Sequence, residues 1–375
     1  MKIVFLTQFG PPNIGGDVMH VMWLANELKK KGHEIHIFCS NKSKDNKEIK
    51  RFTEVIDGIY IHRFRPFFKA AKTTFFWSFK KELFKLKPDI IHAHFYRQYY
   101  ATIAPKYAKQ LKAKSFLTTH APFVEKELRP FHVNLLAWIY DKIFGKRTLN
   151  AYNKIIAISE WEYPYLKQLG MNMDKVIHLS NGIPEYFFEA KHNNKKTNNI
   201  FTVCHINPIK NLEVLIRAAP IIIKENPKVK FIIAGPADEI YKMKLDSMIE
   251  SNNLNNYFIF PGPIFDQKKK IKMMLNSDIF AITSWREAIP TTIVEAQALG
   301  KITISSRTQG GKELIGEDRG FLFDINNANQ LAEKVNYVLK NLNLLDNIRI
   351  RARKYAENNN SWPKIAEKLE KLYKE

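Results

Sequence analysis

The sequence predicts an α/β protein made of two doubly wound, parallel-sheet domains in tandem. Three observations predict it. The chain has 375 residues, more than one ordinary hydrophobic core organises. Strand-like and helix-like runs alternate along it, the pattern of a parallel sheet covered on both faces. A stretch without one apolar side chain, KHNNKKTNN at 191–199, breaks that alternation, which then restarts. Such a polar run reads as a surface linker and a domain boundary.

The elements follow in order. Residues 2–7 form an apolar strand, and the loop QFGPPNIGGD follows it. Val18, Val21, Met22, Ala25 and Leu28 then recur at helical spacing until Gly32 stops the helix. In 33–39, Ile35, Ile37 and Cys39 share one face, as in a strand. Further strands are expected at 89–93, 115–118 and 154–158. After the linker, strands are expected at 200–205, 229–234, 257–260, 278–283, 302–305 and 321–323, with helices at 212–225, 240–251 and 290–299. The segment 326–375 is charged and helical in pattern. Ligands of such folds bind beyond the carboxyl ends of the strands.

Composition narrows the function classes. Hydrophobic residues at 45% and charged residues at 26% fit a soluble globular chain rather than a fibrous or disordered one. The opening MKIVFLTQFGPP has too short an apolar run for a signal peptide, and no run is long enough to span a bilayer. A cytoplasmic protein is expected, with a peripheral place on the inner membrane face as the alternative. Cys39 and Cys204 lie in apolar runs without metal spacing and read as buried thiols. His92 and His94 form H-x-H, but no third ligand is spaced to help them, so no metal is expected.

The formal charge is +22, and residues 51–150 hold 19 Lys/Arg against 7 Asp/Glu. Such a field favours an anionic partner: phospholipid, nucleic acid or a phosphorylated substrate. A Lys- and Asn-rich composition that spells basic surfaces everywhere gives the same number. Residues 63–87 interleave Lys/Arg with Phe and Trp, which suits an interfacial helix on an anionic bilayer. Phe75, Phe76, Trp77, Phe79 and Phe84 are the candidates for insertion, unless these aromatics face the core.

The sharpest constellation is SWREAIPTTIVEAQALG at 284–300. Pro290 suits a helix's first turn. Free amides around Ile289, Pro290, Thr291 and Thr292, with the helix dipole behind them, make a seat for a diphosphate. Glu287 precedes the helix and Glu295 lies inside it. Two carboxylates beside such a seat are better acceptors for sugar hydroxyls than for phosphate. Glu287 has a plainer alternative, bonding the helix's own orphan amides, and Gly310–Gly311 can be a mere turn.

Glu-x7-Glu in this strand-loop-helix context resembles the signature of the family-four retaining glycosyltransferases, glycosyl transferases of group 1. PDIIHAHF (88–95), LTTHAPF (117–123), IIAISEWE (155–162), LSNGIP (179–184), PIKNLEVLIRA (208–218), IIAGPADE (232–239), TQGGKELI (308–315) and Ser361–Trp362 extend the resemblance over nearly the whole chain. It implies the GT-B fold: two Rossmann-like domains facing a central cleft, 1–190 for the acceptor and 191–360 for the nucleotide sugar. A helix at about 361–375 is expected to pack back on the first. It implies a retaining, metal-independent hexosyl transfer without a cofactor, from a UDP- or GDP-linked sugar to an acceptor hydroxyl. A glycolipid or lipid-linked glycan is the expected acceptor.

The resemblance also implies roles. Glu287 contacts the donor sugar, Glu295 the ribose, and Lys210 the diphosphate. Gly15 and Gly16 approach the phosphates and the acceptor, Gly235 belongs to the donor side, and His120 lies near the reacting centre. One position departs: His205 stands where the family often has an arginine, replacing a permanent forked charge by a partial one. Rival readings are a sugar-nucleotide epimerase or hydrolase on the same fold, and a basic nucleic-acid-binding protein. The latter lacks any recognisable nucleic-acid motif, and a dehydrogenase is disfavoured because no G-x-G-x-x-G follows a strand.

Overall fold

The computed structural model describes residues 1–71, 74–123, 130–190 and 196–375. Residues 191–195 of the polar run and 72–73 of the aromatic stretch lie outside the described residues. The chain divides into two compact units, Met1–Asn181 with Trp362–Glu375, and Gly182–Ser361. The division falls at Asn181, before the polar run and not at it.

In the first unit, β1 (Lys2–Leu6), α1 (Gly16–Lys30) and β2 (Glu34–Ser40) form the opening β-loop-α-β. An antiparallel hairpin follows, β3 (Thr53–Ile56) and β4 (Ile59–Phe64), then a separate ribbon, β5 (Pro66–Ala71) and β6 (Thr74–Trp77). The alternation resumes with α2 (Lys80–Leu86), β7 (Ile90–His94), α3 (Tyr99–Leu111), β8 (Lys114–Thr118), α4 (Phe131–Tyr140), α5 (Lys146–Ala151), β9 (Lys154–Ala157), α6 (Tyr163–Gln168) and β10 (Val176–His178). Eight strands make one sheet in the order β10-β9-β8-β7-β1-β2-β4-β3. The order reverses between β1 and β7, the switch point of a doubly wound sheet. Ile3, Val4, Phe5 and Leu6 of β1 are wholly buried, as a central strand covered on both faces must be.

The second unit holds α7 (Tyr186–Glu189), β11 (Asn199–Val203), α8 (Glu213–Glu225), β12 (Lys230–Ala234), α9 (Glu239–Ser251), β13 (Phe258–Gly262), α10 (Gln267–Leu275), β14 (Ile279–Ile282), α11 (Thr291–Ala298), β15 (Ile302–Ser306), α12 (Gln309–Ile315), β16 (Phe321–Phe323), α13 (Ala328–Asn341) and α14 (Asp346–Asn359). Its sheet is parallel, in the order β13-β12-β11-β14-β15-β16, with the switch point between β11 and β14. Two apolar clusters, one around α8, α9 and α13 and one around α10, α11 and α12, cover its faces. The last helix, α15 (Trp362–Lys374), follows this unit in the chain but buries Trp362, Ile365, Leu369 and Tyr373 in the core of the first. Both units have the Rossmann-like layering that the GT-B expectation requires.

The aromatic stretch 63–87 departs from the expectation of an inserting helix. It forms the strands β5 and β6 and becomes helical only at α2, and strand side chains alternate. Phe75 and Trp77 therefore point into the core, and Phe79 is buried with them. Phe76 and Phe84 are half-buried. Trp77 stacks on Phe64 at 5.3 Å.

Candidate functional site

The second unit carries a cavity of about 250 Å³ beyond the carboxyl ends of β11 and β14, at the switch point of its sheet. Thr202, Val203 and Cys204 line it from one strand, and Ile282, Thr283 and Ser284 from the other. Lys210, Leu212, Glu287, Ile289, Pro290, Thr291 and Thr292 complete the wall. Pro290 sits one residue before α11 as its N-cap rather than inside its first turn, and no side chain caps this end. The orphan amides and the positive end of the helix dipole are therefore open to a ligand.

Several bonds fix the two loops of this wall. Asn207 accepts from the Ile209 amide at 3.1 Å, closing the short turn Pro208–Lys210. Trp285 N donates to Ile209 O at 2.9 Å, and Thr283 Oγ1 to Lys210 O at 2.7 Å. Lys210 Nζ then reaches Glu287 Oε1 at 2.7 Å, and Ser284 Oγ donates to the same oxygen at 2.6 Å. Glu287 thus bonds Lys210 and Ser284 instead of the helix amides. Among the described residues its Oε2 has no partner. Ser284 is a member of this network that sequence reasoning passed over, although it opens the 284–300 motif.

The glycine pair has a steric reason. Gly310 N donates to Glu287 O at 3.0 Å, and a Cβ on Gly310 would stand 2.2 Å from Ala288 O. No other residue lets α12 lie this close to the loop that holds Glu287. Gly235 does not line the cavity. Its φ is +139°, and a Cβ there would fall 1.7 Å from Cys204 O, so it lets β12 end against the Cys204 backbone. His205 is exposed and also stands outside the cavity wall.

Glu295 lies on α11 and is buried with Lys270 of α10, Nζ to Oε2 at 2.5 Å. Burial raises its pKa, and the lysine opposes that shift. It is not among the residues lining the cavity. Lys270 is hard to single out from the sequence, being one of three successive lysines; its only mark is a place four residues before buried Met274.

In the first unit the expected residues lie at the other switch point. Gly15, with φ +147°, caps α1, and Gly16 has open space around it. His120 follows β8 in the left-handed region, φ +58°. Its ring stacks on Phe95 at 4.0 Å, and its Nε2 lies 2.9 Å from His94 Nδ1. His20, from α1, packs edge-on to it at 4.7 Å and bonds Asn181 through Nδ1 at 3.0 Å. Burial holds the pKa of His20 at about 4 and those of His94 and His120 well below the ordinary value, so these rings are neutral near pH 7. Neutral rings donate and accept; they do not supply charge. His20, His94 and His120 are also the one group among the described residues with metal-compatible spacing, ligand atoms within 4.8 Å.

Glu162 positions His120 from below. It is buried and accepts from Thr119 Oγ1 at 2.6 Å, Ala121 N at 3.1 Å and Ile158 N at 2.9 Å. Its carboxylate therefore bonds both neighbours of His120. Burial outweighs these donors and lifts its pKa to about 7.

Two family models match the sequence, Glycosyltransferase Family 4 over residues 14–185 and Glycosyl transferases group 1 over 185–355. An uncharacterized glycosyltransferase of Methanocaldococcus jannaschii is 22% identical, covering 100% of this chain and 98% of the relative. The phosphatidylinositol N-acetylglucosaminyltransferase gpi3 subunit of Schizosaccharomyces pombe is 24% identical, covering 98% of this chain and 79% of the relative. The crystal structure of Anabaena HepE in complex with UDP superposes with a TM-score of 0.77 at 18% identity, covering 100% of each chain.

Proposed function

This chain belongs to the group 1 glycosyltransferases, and from that membership we propose a retaining transfer of a sugar from a nucleoside diphosphate to an acceptor hydroxyl. One observation carries the donor reading: Lys210, Glu287 and the uncapped start of α11 converge on one cavity at a sheet switch point. Lys210 and the α11 amides neutralise the diphosphate as the anomeric C–O bond breaks. The free Oε2 of Glu287 accepts from a sugar hydroxyl, while Lys210 and Ser284 hold the carboxylate in place. With Lys210 and the α11 dipole on the leaving group, no divalent metal is needed.

Glu295 is proposed for the ribose hydroxyls, which requires Lys270 to share or yield its carboxylate. His120, Gly15 and Gly16 are proposed for the reacting end of the donor and for the acceptor. His205, exposed and outside the cavity wall, adds less to diphosphate binding than a forked arginine would, and Gly235 acts through the β12 end rather than by contact. UDP is the favoured nucleotide, supported by the UDP bound to HepE. A glycolipid acceptor is supported by the likeness to the phosphatidylinositol N-acetylglucosaminyltransferase of Schizosaccharomyces pombe.

The test is titration with UDP, GDP and their sugars, followed by transfer of labelled sugar to membrane lipid extracts. UDP binding and label in a lipid product are expected. Glu287→Ala should remain folded and lose about 10²-fold or more of the turnover. Near-normal turnover of that variant refutes the assignment, and donor consumption without any acceptor points to a hydrolase or epimerase instead.

A further inference from the structure

The apolar surface of the first unit does not lie where its composition is most aromatic; it lies on α4. Helix α4 continues through a π-helical turn, Asp141–Gly145, into α5. In α4 no residue is fully buried. Its half-buried positions are Asn134, Ala137 and Tyr140. The opposite face carries Phe131, Leu135, Leu136 and Ile143, with Trp138 and Phe144 exposed on its flanks; Phe131 is 80%, Leu136 65% and Ile143 62% exposed. Phe131, Leu135, Ile139 and Ile143 fall on four-residue steps, so they form one stripe about 18 Å long at 1.5 Å per residue. The amphipathicity is inverted: the small and polar side meets the protein and the apolar side meets solvent. A stripe this large on a water-soluble face marks an interaction surface.

The fold holds the helix in that pose. Tyr140 OH bonds Thr102 Oγ1 of α3 at 2.6 Å, and Arg97 clamps Asp141 with two bonds, at 2.9 Å and 2.6 Å. Tyr99, one turn before Thr102 on α3, packs against Phe67 of the β5–β6 ribbon at 6.2 Å. Phe67 and its neighbour Phe68 are also exposed.

Charge decides the occupant. Lys142, Lys146 and Arg147 follow the stripe directly, are exposed, and line one shallow depression with Asn150. Among the described residues none of the three is ion-paired. A protein partner would need no particular order of these features. A bilayer does: an apolar stripe to enter the acyl boundary, and unpaired cations along its border to meet phosphates. No described helix is long and apolar enough to cross a membrane, so this one lies in the interface. We propose that α4 and its continuation to Arg147 dock the protein on an anionic phospholipid surface, the stripe inserting and Lys142, Lys146 and Arg147 binding lipid phosphate. The proposal stands independently of the donor and the acceptor.

The experiment is flotation of the full chain with phosphatidylcholine vesicles, with and without phosphatidylglycerol, at low and high salt. The altered positions are all exposed, and urea midpoints equal to that of the wild type confirm folding. Wild type is expected to float with the anionic vesicles. Leu136→Glu with Ile143→Glu is expected to lower the partition coefficient by about tenfold or more, the cost of removing two inserted side chains. Lys142→Ala, Lys146→Ala and Arg147→Ala together are expected to abolish the preference for phosphatidylglycerol. The chain carries cations elsewhere, so the apolar pair is the diagnostic variant: if it floats like wild type, or if wild type stays behind at low salt, the proposal is overturned. A dimer in sedimentation velocity that becomes monomeric in the apolar variant, without vesicle binding by wild type, would give the face to a second copy and overturn it equally.

Discussion

Glu162 shows how a buried charge serves a site from one layer away. Its oxygens bond Thr119 Oγ1 and the Ala121 amide, so the left-handed turn at His120 is fixed on both sides. A carboxyl lifted to about 7 from 4.5 holds a proton in the folded state that it releases when unfolded. Its contribution to stability is therefore complete below about pH 4.5 and is lost as the pH rises through about 7. Glu162→Gln does not titrate. In urea unfolding, wild type should lose stability relative to this variant between those pH values, by about 3 kcal/mol at most. Parallel pH profiles for the two would show that Glu162 is ionised throughout. The segment 155–162 belongs to the family resemblance, yet Glu162 carries no role from sequence alone, because one acid three residues after Ser159 looks like a helix-start carboxylate. Only the return of β8 beside β9 puts the Thr119 turn within its reach. Glu287 and Lys210 were legible because each lies in a motif whose loop geometry the neighbouring strand and helix dictate. Lys270 and His20 were not, since their partners are distant in the chain, and Ser284 was not, since a serine three residues before Glu287 carries no mark of its own.

At the scale of elements, the parallel strands were the easiest to read. A strand buried on both faces is a near-continuous apolar run, and FIIA before Gly235 or IFAI before Thr283 cannot be much else. The hairpin β3–β4 and the ribbon β5–β6 were harder, because antiparallel strands at a sheet's edge share their residues between core and solvent. Composition suits 63–87 to an interfacial helix or to core-facing aromatics, and the period-2 alternation of β6 decides for the second at Phe75 and Trp77, which point inward. The contact of α12 with the 284–289 loop is the most consequential joint between elements. Gly310→Ala puts a methyl against the Ala288 carbonyl at 2.2 Å, backbone that has no rotamer to yield. The loop must move, at a cost of about 1–3 kcal/mol, and it carries Glu287. Thermal unfolding of this variant should fall modestly while nucleotide affinity falls more. Affinity equal to wild type would mean that the loop absorbs the methyl without displacing the cavity wall.

At the scale of the molecule, sequence continuity and structural membership part company. The chain leaves the first unit at Asn181 and re-enters it at Trp362, and within the second unit the two crossing segments are paired, Ile183 N donating to Asn360 O at 2.7 Å. The polar run at 191–199 drew the boundary too late because a linker's composition reports solvent exposure, whereas a boundary is set by which core each segment joins. LSNGIP ends in one unit and begins the next. Helix α15 then belongs to a core assembled some 180 residues earlier in the chain, about the length of one whole domain. Tyr373 O accepts from Lys114 Nζ at 3.0 Å, Tyr373 OH meets buried His92 Nδ1 at 2.5 Å, and Glu370 pairs with Lys31 at 3.2 Å. Leu369 is 1% exposed within the same cluster. Leu369→Ala should therefore destabilise by about 2–5 kcal/mol, and the loss should appear in the first unit. Amide exchange is expected to quicken in β1, β7 and β8, while β11, β12 and β14 keep their protection. Faster exchange confined to the second unit would mean that α15 is held by the chain it follows and not by the core it enters.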